Sequence, residues 1–76
     1  MFAKEIILEM LHEDKKRITY WQEMLENAEN DLSIIHAERG LQKALCTSYA
    51  HKEMLTACGF DVEYKDGVAV DVYGYV

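Results

Sequence analysis

Apolar positions in the first third of the chain recur with the period of an α-helix. Seven of them are spaced alternately by four and three residues, which is the spacing of a coiled-coil seam. This seam consists of Ile7, Leu11, Asp14, Ile18, Trp21, Leu25 and Ala28, so one member is charged. A second apolar row beside it consists of Ile6, Met10, Tyr20 and Met24. The pattern predicts a helix over about residues 2–28.

A run of six polar residues, HEDKKR at 12–17, interrupts this pattern. Six consecutive positions cover every side of a helix, so no apolar face continues through them. Here the helix is either solvated all round or broken. We expect a solvated helix surface.

The segment ENAEND contains the strongest helix-stop and helix-start signals in the chain. Either Asn30 or Asp31 is suited to be the N-cap of a second helix over about residues 31–58. The seam nevertheless continues in phase through Leu32 and Ile35, which leaves one long helix of about 55 residues as an alternative. The Asn and Asp cluster favours the turn.

The second helical segment has two apolar faces. One, predicted to pack on the first helix, consists of Ile34, Ala37, Leu41, Ala44, Leu45, Ser48 and Leu55. The opposite one consists of Cys46, Ala50, Met54 and Ala57 and requires another cover. Gly40 is either a tolerated helix glycine or a place of close helix approach, and Gly59 is predicted to end the helix.

The valine- and tyrosine-rich end of the chain predicts a β-hairpin with strands 60–64 and 68–76. A two-residue Asp66-Gly67 loop would place valines opposite charged residues. A three-residue loop that begins at Lys65 instead pairs apolar residues throughout. Its pairs are Tyr64 with Val68, Val62 with Val70 and Phe60 with Val72. The predicted fold is therefore α+β: a long helical hairpin, or one long coiled-coil helix, followed by a hairpin packed on the second helix.

Length and charge limit the classes of function. A single domain of 76 residues has a marginal core, so oligomerisation is expected to complete it. The net charge of −6 opposes direct nucleic-acid binding and favours a basic protein surface as partner. Charges near the start argue against a secretory leader, and no apolar run is long enough for a membrane span, so we expect a cytoplasmic protein.

No pattern of catalytic, metal-binding or cofactor-binding residues is present. His12, His36 and His51 lie in no metal-ligand motif, and Cys46 and Cys58 are too far apart along one helix for a disulfide. We therefore expect a non-catalytic protein without cofactor or metal.

Candidate binding residues are concentrated in the tail. In the three-residue-loop register Asp61 lies opposite Asp71, with Glu63 a diagonal neighbour of Asp71 and no cation in the pairing. This acidic patch, the predicted partner-binding surface, consists of Asp61, Glu63, Asp71, Tyr73 and Tyr75. In the same register residues 73–76 overhang the first strand and leave an edge for another strand. The predicted oligomer interface consists of Ile6, Met10, Tyr20, Met24, Gly74 and Val76.

These features predict a small acidic homo-oligomeric protein-binding module. Its helix-plus-hairpin design resembles small accessory proteins of phages and mobile elements, a resemblance of general design that implies an accessory or inhibitor role. An acidic inhibitor could compete with nucleic acid for a basic groove. The alternatives are a small-ligand-binding protein with a site between protomers and, if the helix is unbroken, a coiled-coil spacer.

Overall fold

A computed structural model describes residues 4–74 as two helices followed by two strands. The elements are α1 (Lys4–Glu26), α2 (Asp31–Ala57), β1 (Asp61–Lys65) and β2 (Val68–Tyr73). The strands form an antiparallel two-stranded sheet, which confirms the α+β prediction. The molecule measures 50 × 21 × 17 Å. No helix in this part of the chain is long and apolar enough to cross a membrane.

The turn between the helices is set by asparagines. At the end of α1, the side-chain amide of Asn27 donates to the Glu23 carbonyl at 2.9 Å. Asn30 has an extended backbone, and its Oδ1 accepts from the Ser33 amide at 2.9 Å as the N-cap of α2. The chain therefore folds as a helical hairpin, and the single long helix is wrong.

The helices approach closely where Trp21 lies against Gly40. A Cβ at Gly40 would overlap the Trp21 ring, and the His36 ring meets the Trp21 ring edge-on, with centroids 5.2 Å apart. Gly40 is therefore a place of close approach. Buried residues follow the same face of α2, and all but one of them are small: Ala37, Gly40, Ala44, Ser48 and Leu55.

The end of α2 is a Schellman motif, which directs the chain into the sheet. The Phe60 amide donates to the Leu55 carbonyl at 2.9 Å, and the Gly59 amide donates to the Thr56 carbonyl at 3.0 Å. Gly59 adopts φ 88°, a left-handed conformation that costs glycine little. The predicted helix stop at Gly59 is confirmed.

The register of the hairpin differs from the prediction. Lys65 pairs with Val68 across a two-residue loop, and Asp66 and Gly67 both have positive φ, 54° and 77°. Positive φ at both loop residues is typical of a type I′ turn, whose twist matches that of the strands. The three-residue loop is therefore wrong. The reason for the error is a bulge farther along β2, which no residue type in the sequence marks.

The bulge moves the register by one residue and places Val62 and Val72 in one cross-strand pair. Tyr64 pairs with Ala69, Glu63 with Asp71 and Val62 with Val72, so Val70 is the extra residue. Because of the bulge, Ala69 and Val72 are buried, whereas Val68 and Val70 are exposed.

The sheet contacts both helices, and β2 lies along α1. Leu11, Leu55 and Ala69 form the buried cluster, one residue from each of α1, α2 and β2. The hairpin does not cover the second apolar face of α2. All four residues of that face remain exposed: Cys46, Ala50, Met54 and Ala57.

Candidate partner-binding surfaces

The polar run 12–17 anchors the other elements to α1, contrary to the prediction of a solvated surface. Asp14 is only 2% exposed. Its Oδ2 accepts from His51 Nδ1 at 2.7 Å, and its Oδ1 lies 3.2 Å from Arg17 Nη1. A buried carboxylate is stable only with such partners. The charged member of the seam is thus a specific polar contact between the helices.

The same run also closes the outer edge of β2. His12 Nε2 lies 2.8 Å from the Ala69 carbonyl oxygen, and Lys15 Nζ donates to the Gly67 carbonyl at 3.0 Å. At the far end of the strand, the Val72 amide donates to Asp71 Oδ1 at 2.8 Å. Side chains therefore occupy polar backbone groups along this edge, which blocks the addition of another strand.

The outer edge of β1 lacks such caps. The two residues that flank a two-residue loop form both backbone hydrogen bonds with each other, and such pairs alternate along the ladder with pairs that form none. The backbone N–H and C=O groups of Tyr64 and Val62 therefore point away from β2. The outward carbonyl of Ala69, which pairs with Tyr64, confirms this phase. Within residues 4–74 no side chain or turn bonds the outward groups of Val62 or Tyr64.

A groove runs beside this open edge, between β1 and α2. It has a volume of about 240 Å³ and is lined by Lys52, Leu55, Thr56, Phe60, Asp61, Val62 and Tyr64. The Lys52 ammonium lies 5.3 Å from the centre of the Tyr64 ring, a cation–π contact across the groove.

Two further cavities continue the groove along α2, and each includes Lys52. One, of about 520 Å³, is lined by Ile18, Leu45 and Tyr49 among others; the other extends from Tyr49 to Ala57. We call Leu45, Tyr49, Lys52 and Thr56, together with Val62 and Tyr64 of β1, the α2–β1 flank. Leu45, Tyr49 and Tyr64 of this flank are exposed, Tyr49 at 65%, whereas Val62 is half-buried against the core.

The three predicted carboxylates do share the outer face of the sheet, in a different arrangement. Glu63 lies opposite Asp71, and Asp61 lies opposite Tyr73. The Tyr73 hydroxyl donates to Glu63 Oε2 at 3.2 Å. Lys4 of α1, which is outside the strand pairing, supplies a cation at 2.7 Å from Asp71 Oδ1.

These contacts shift three ionisation equilibria. The Lys4 ammonium and the Val72 amide lower the pKa of Asp71, and Asp71 in turn raises the pKa of Lys4. The pKa of Tyr73 is raised because its hydroxyl lies beside the carboxylates of Asp71 and Glu63. Burial raises the pKa of Tyr64. Asp61 and Glu63 are the carboxylates of the patch that have no cation bound to them among residues 4–74.

The predicted oligomer row on α1 is divided into two small apolar areas. Ile6, Tyr20 and Met24 are exposed, whereas Met10 packs against the buried cluster. Exposed Glu13 and Arg17 separate the two ends of the row. Gly74 lies against the Phe60 ring, which a Cβ at that position would overlap. Tyr75 and Val76 lie outside the described residues.

The overhang predicted for residues 73–76 is reduced by the observed register, since Tyr73 pairs with Asp61. The strand edge that the structure leaves open is that of β1. Sequence reasoning missed the α2–β1 flank because it placed Leu45 on the buried face. The 4-3-4 spacing of Leu45, Tyr49, Lys52 and Thr56 was the available signal.

The described residues contain no group of three or more His, Cys, Asp or Glu placed to hold a metal ion. Cys46 and Cys58 are exposed free thiols. Compared with protein-family models, curated proteins and solved structures, the chain matches none of them.

Proposed function

We propose that the chain is a small, non-catalytic, homo-oligomeric protein-binding module. The helical hairpin is the scaffold, and the outer face of the sheet presents Asp61, Glu63, Asp71 and Tyr73 to a basic protein surface. The observation that carries this proposal is the placement of these side chains on one face of the sheet, with exposed Val70 next to the Glu63–Asp71 pair. Exposed apolar and tyrosine side chains beside charged ones are common in protein interfaces.

Self-association is supported by how little the single chain buries. Six of the described hydrophobic residues are buried, and three of them are alanines. Twelve large hydrophobic side chains are exposed. The structure exposes 5882 Å², whereas a compact monomer of this mass would expose about 4,800 Å². A second copy would cover part of this excess.

Partner binding is tested by comparing two charge reversals of equal size. A basic partner isolated from the native host by pull-down and mass spectrometry should bind Asp61→Lys at least tenfold more weakly than the unchanged protein. Glu38→Lys, on the exposed side of α2, changes the net charge equally and should bind normally. Equal losses in both variants would show that net charge, not the outer face, attracts the partner.

The inhibitor role is a narrower form of the same proposal. A protein that competes with nucleic acid should be displaced from its partner by duplex DNA or by RNA, and its affinity should fall as salt rises. A partner that binds the module and the nucleic acid simultaneously would contradict competition while leaving the protein-binding role intact. The spacer role required an unbroken helix, and the turn at Asn30 removes that premise.

A further inference from the structure

We propose that two copies of this chain associate through their β1 edges to form a continuous four-stranded antiparallel sheet. This inference rests on the homo-oligomeric part of the proposed function and names the interface. The strand edges differ: His12 and Asp71 bond outward groups of β2, and Lys15 bonds the Gly67 carbonyl of the adjoining loop, whereas the outward groups of Val62 and Tyr64 on β1 have no such partner among residues 4–74.

Backbone geometry limits the pairing to three symmetric registers. A new strand bonds β1 only if outward-directed residues face each other, so Val62 or Tyr64 must lie opposite Val62 or Tyr64 of the second copy. The three possibilities are Val62 opposite Val62, Val62 opposite Tyr64, and Tyr64 opposite Tyr64.

Charge decides among these registers. If Val62 faces Val62, Asp61 lies opposite Glu63 twice, which places like charges together. If Val62 faces Tyr64, Asp61 lies opposite Lys65 twice, but Glu63 faces its own copy, so one pair of like charges remains directly opposed. If Tyr64 faces Tyr64, each Glu63 lies opposite Lys65 of the other copy, and no like charges are directly opposed. We therefore assign the last register, in which the two Tyr64 residues exchange the backbone hydrogen bonds and Val62 lies opposite Asp66 of the second copy's loop.

The symmetry of this pairing also covers the α2–β1 flank. The two-fold axis of an antiparallel pair is perpendicular to the sheet, so both helical layers lie on the same side. The flank of α2, with Leu45 and Tyr49, then faces its equivalent on the second copy. The cavities along that flank adjoin the groove beside β1 through Lys52, so strand pairing and apolar burial occur in one interface.

The α1 row is a weaker candidate for the same role. Glu13 and Arg17 divide its exposed apolar side chains, and the row has no unpaired backbone. A surface that combines a strand edge with a continuous apolar flank provides both directional hydrogen bonds and buried area.

A charge swap tests the edge and its register together. Sedimentation equilibrium should show a dimer for the unchanged protein. Glu63→Lys and Lys65→Glu each convert two attractive pairs into repulsive ones, so each should raise the dimer Kd about tenfold. The double variant restores both attractions and should restore the Kd. If Val62 lies opposite Tyr64, the dimer Kd of the double variant should remain raised. If Val62 lies opposite Val62, Glu63→Lys should lower the dimer Kd. Either result would overturn the assigned register.

A backbone variant tests the hydrogen bonds directly. Tyr64→Pro removes an outward N–H that the hairpin itself does not use, and edge strands tolerate such a proline. It should produce a folded monomer, whereas Tyr64→Ala, which retains the N–H, should still dimerise more than the proline variant. Equal dimerisation of the two would contradict strand pairing. Circular dichroism monitors folding, and the charge swap decides the matter if Tyr64→Pro does not fold.

The remaining outcomes separate this inference from the proposed function. A dimer that ignores every β1 variant but dissociates in Met24→Glu uses the α1 row, so the inference fails and the homo-oligomeric module stands. A protein that is monomeric at millimolar concentration refutes both the inference and the homo-oligomeric claim. A monomer that adds an extended foreign peptide to β1 also overturns self-pairing.

Discussion

The two strands of the hairpin have edges of opposite character. β2 lies along α1, and side chains from the helix and from the strand itself bond its outward polar groups. β1 faces a groove against α2, and in residues 4–74 its outward groups have no such partners. One edge thus serves the fold of the single chain, and we propose that the other serves association. Four predictions test it.

The largest effect is expected where β2 enters the core. Val72→Asp places a charge at a site only 1% exposed and should destabilise the fold by about 3–5 kcal/mol, because nothing there compensates its desolvation. Val70→Asp, on the same strand at 46% exposure, should cost less than about 1 kcal/mol. Urea denaturation of both variants measures the contrast. Equal losses would show that the bulge at Val70 is misplaced.

The turn that joins the two edges should be the next most sensitive position. Gly67 has φ 77°, which a β-branched residue adopts only under strain, so Gly67→Val should cost about 1–3 kcal/mol. Gly67→Asn is the matched control, since asparagine tolerates the left-handed region. Thermal melts of the two proteins compare them. If valine is as stable as asparagine, the two-residue loop is wrong.

Removing a cap from β2 should have a smaller effect. His12→Ala leaves the Ala69 carbonyl without its side-chain partner and should cost about 1 kcal/mol. Lys16→Ala is the control because Lys16 bonds only its neighbour Glu13 among the described residues. Denaturant midpoints give the comparison. If His12→Ala loses no more unfolding free energy than the control, the contact between His12 and the Ala69 carbonyl does not stabilise the β2 edge.

The smallest effect concerns the exposed ion pair between Lys4 and Asp71. Because the pKa of Asp71 is lowered, its interactions stabilise the fold fully at pH values above the ordinary pKa of 3.8. This stabilisation is lost as the pH falls through the lowered pKa. Because the pKa of Lys4 is raised, its interactions stabilise the fold fully at pH values below the ordinary pKa of 10.5. This stabilisation is lost as the pH rises through the raised pKa. The pair therefore stabilises the fold between these limits.

Lys4→Met should raise the pKa of Asp71 toward its ordinary value, though not fully, because the Val72 amide still donates to the carboxylate. A carbon-detected NMR titration of the Asp71 carboxyl measures this shift. Lys65→Met removes a charge from the same face of the sheet and should leave the pKa of Asp71 nearly unchanged. An Asp71 pKa that responds equally to both variants would indicate general screening instead of a specific pair.

Local patterns were sufficient to predict the elements of the fold. Asn30 as N-cap and Gly59 as helix stop act on backbone groups within a few residues, so the sequence states their effect directly. The periodicity of α1 likewise predicted that Leu11 faces inward. The acidic residues of the outer sheet face were predicted for the same reason, since alternation along a strand depends only on its local geometry.

The sequence alone determined two helices, the turn between them and a hairpin, because short-range hydrogen bonds and side-chain periodicity encode these. Tertiary structure decided the rest. The bulge at Val70 follows from the need to bury Ala69 and Val72 together against the helices. The polar run became an anchor because His51 and the Ala69 carbonyl, distant in the chain, meet it. Which strand edge stays open depends on which side of the helical hairpin β2 occupies, and such long-range packing leaves no periodic signal.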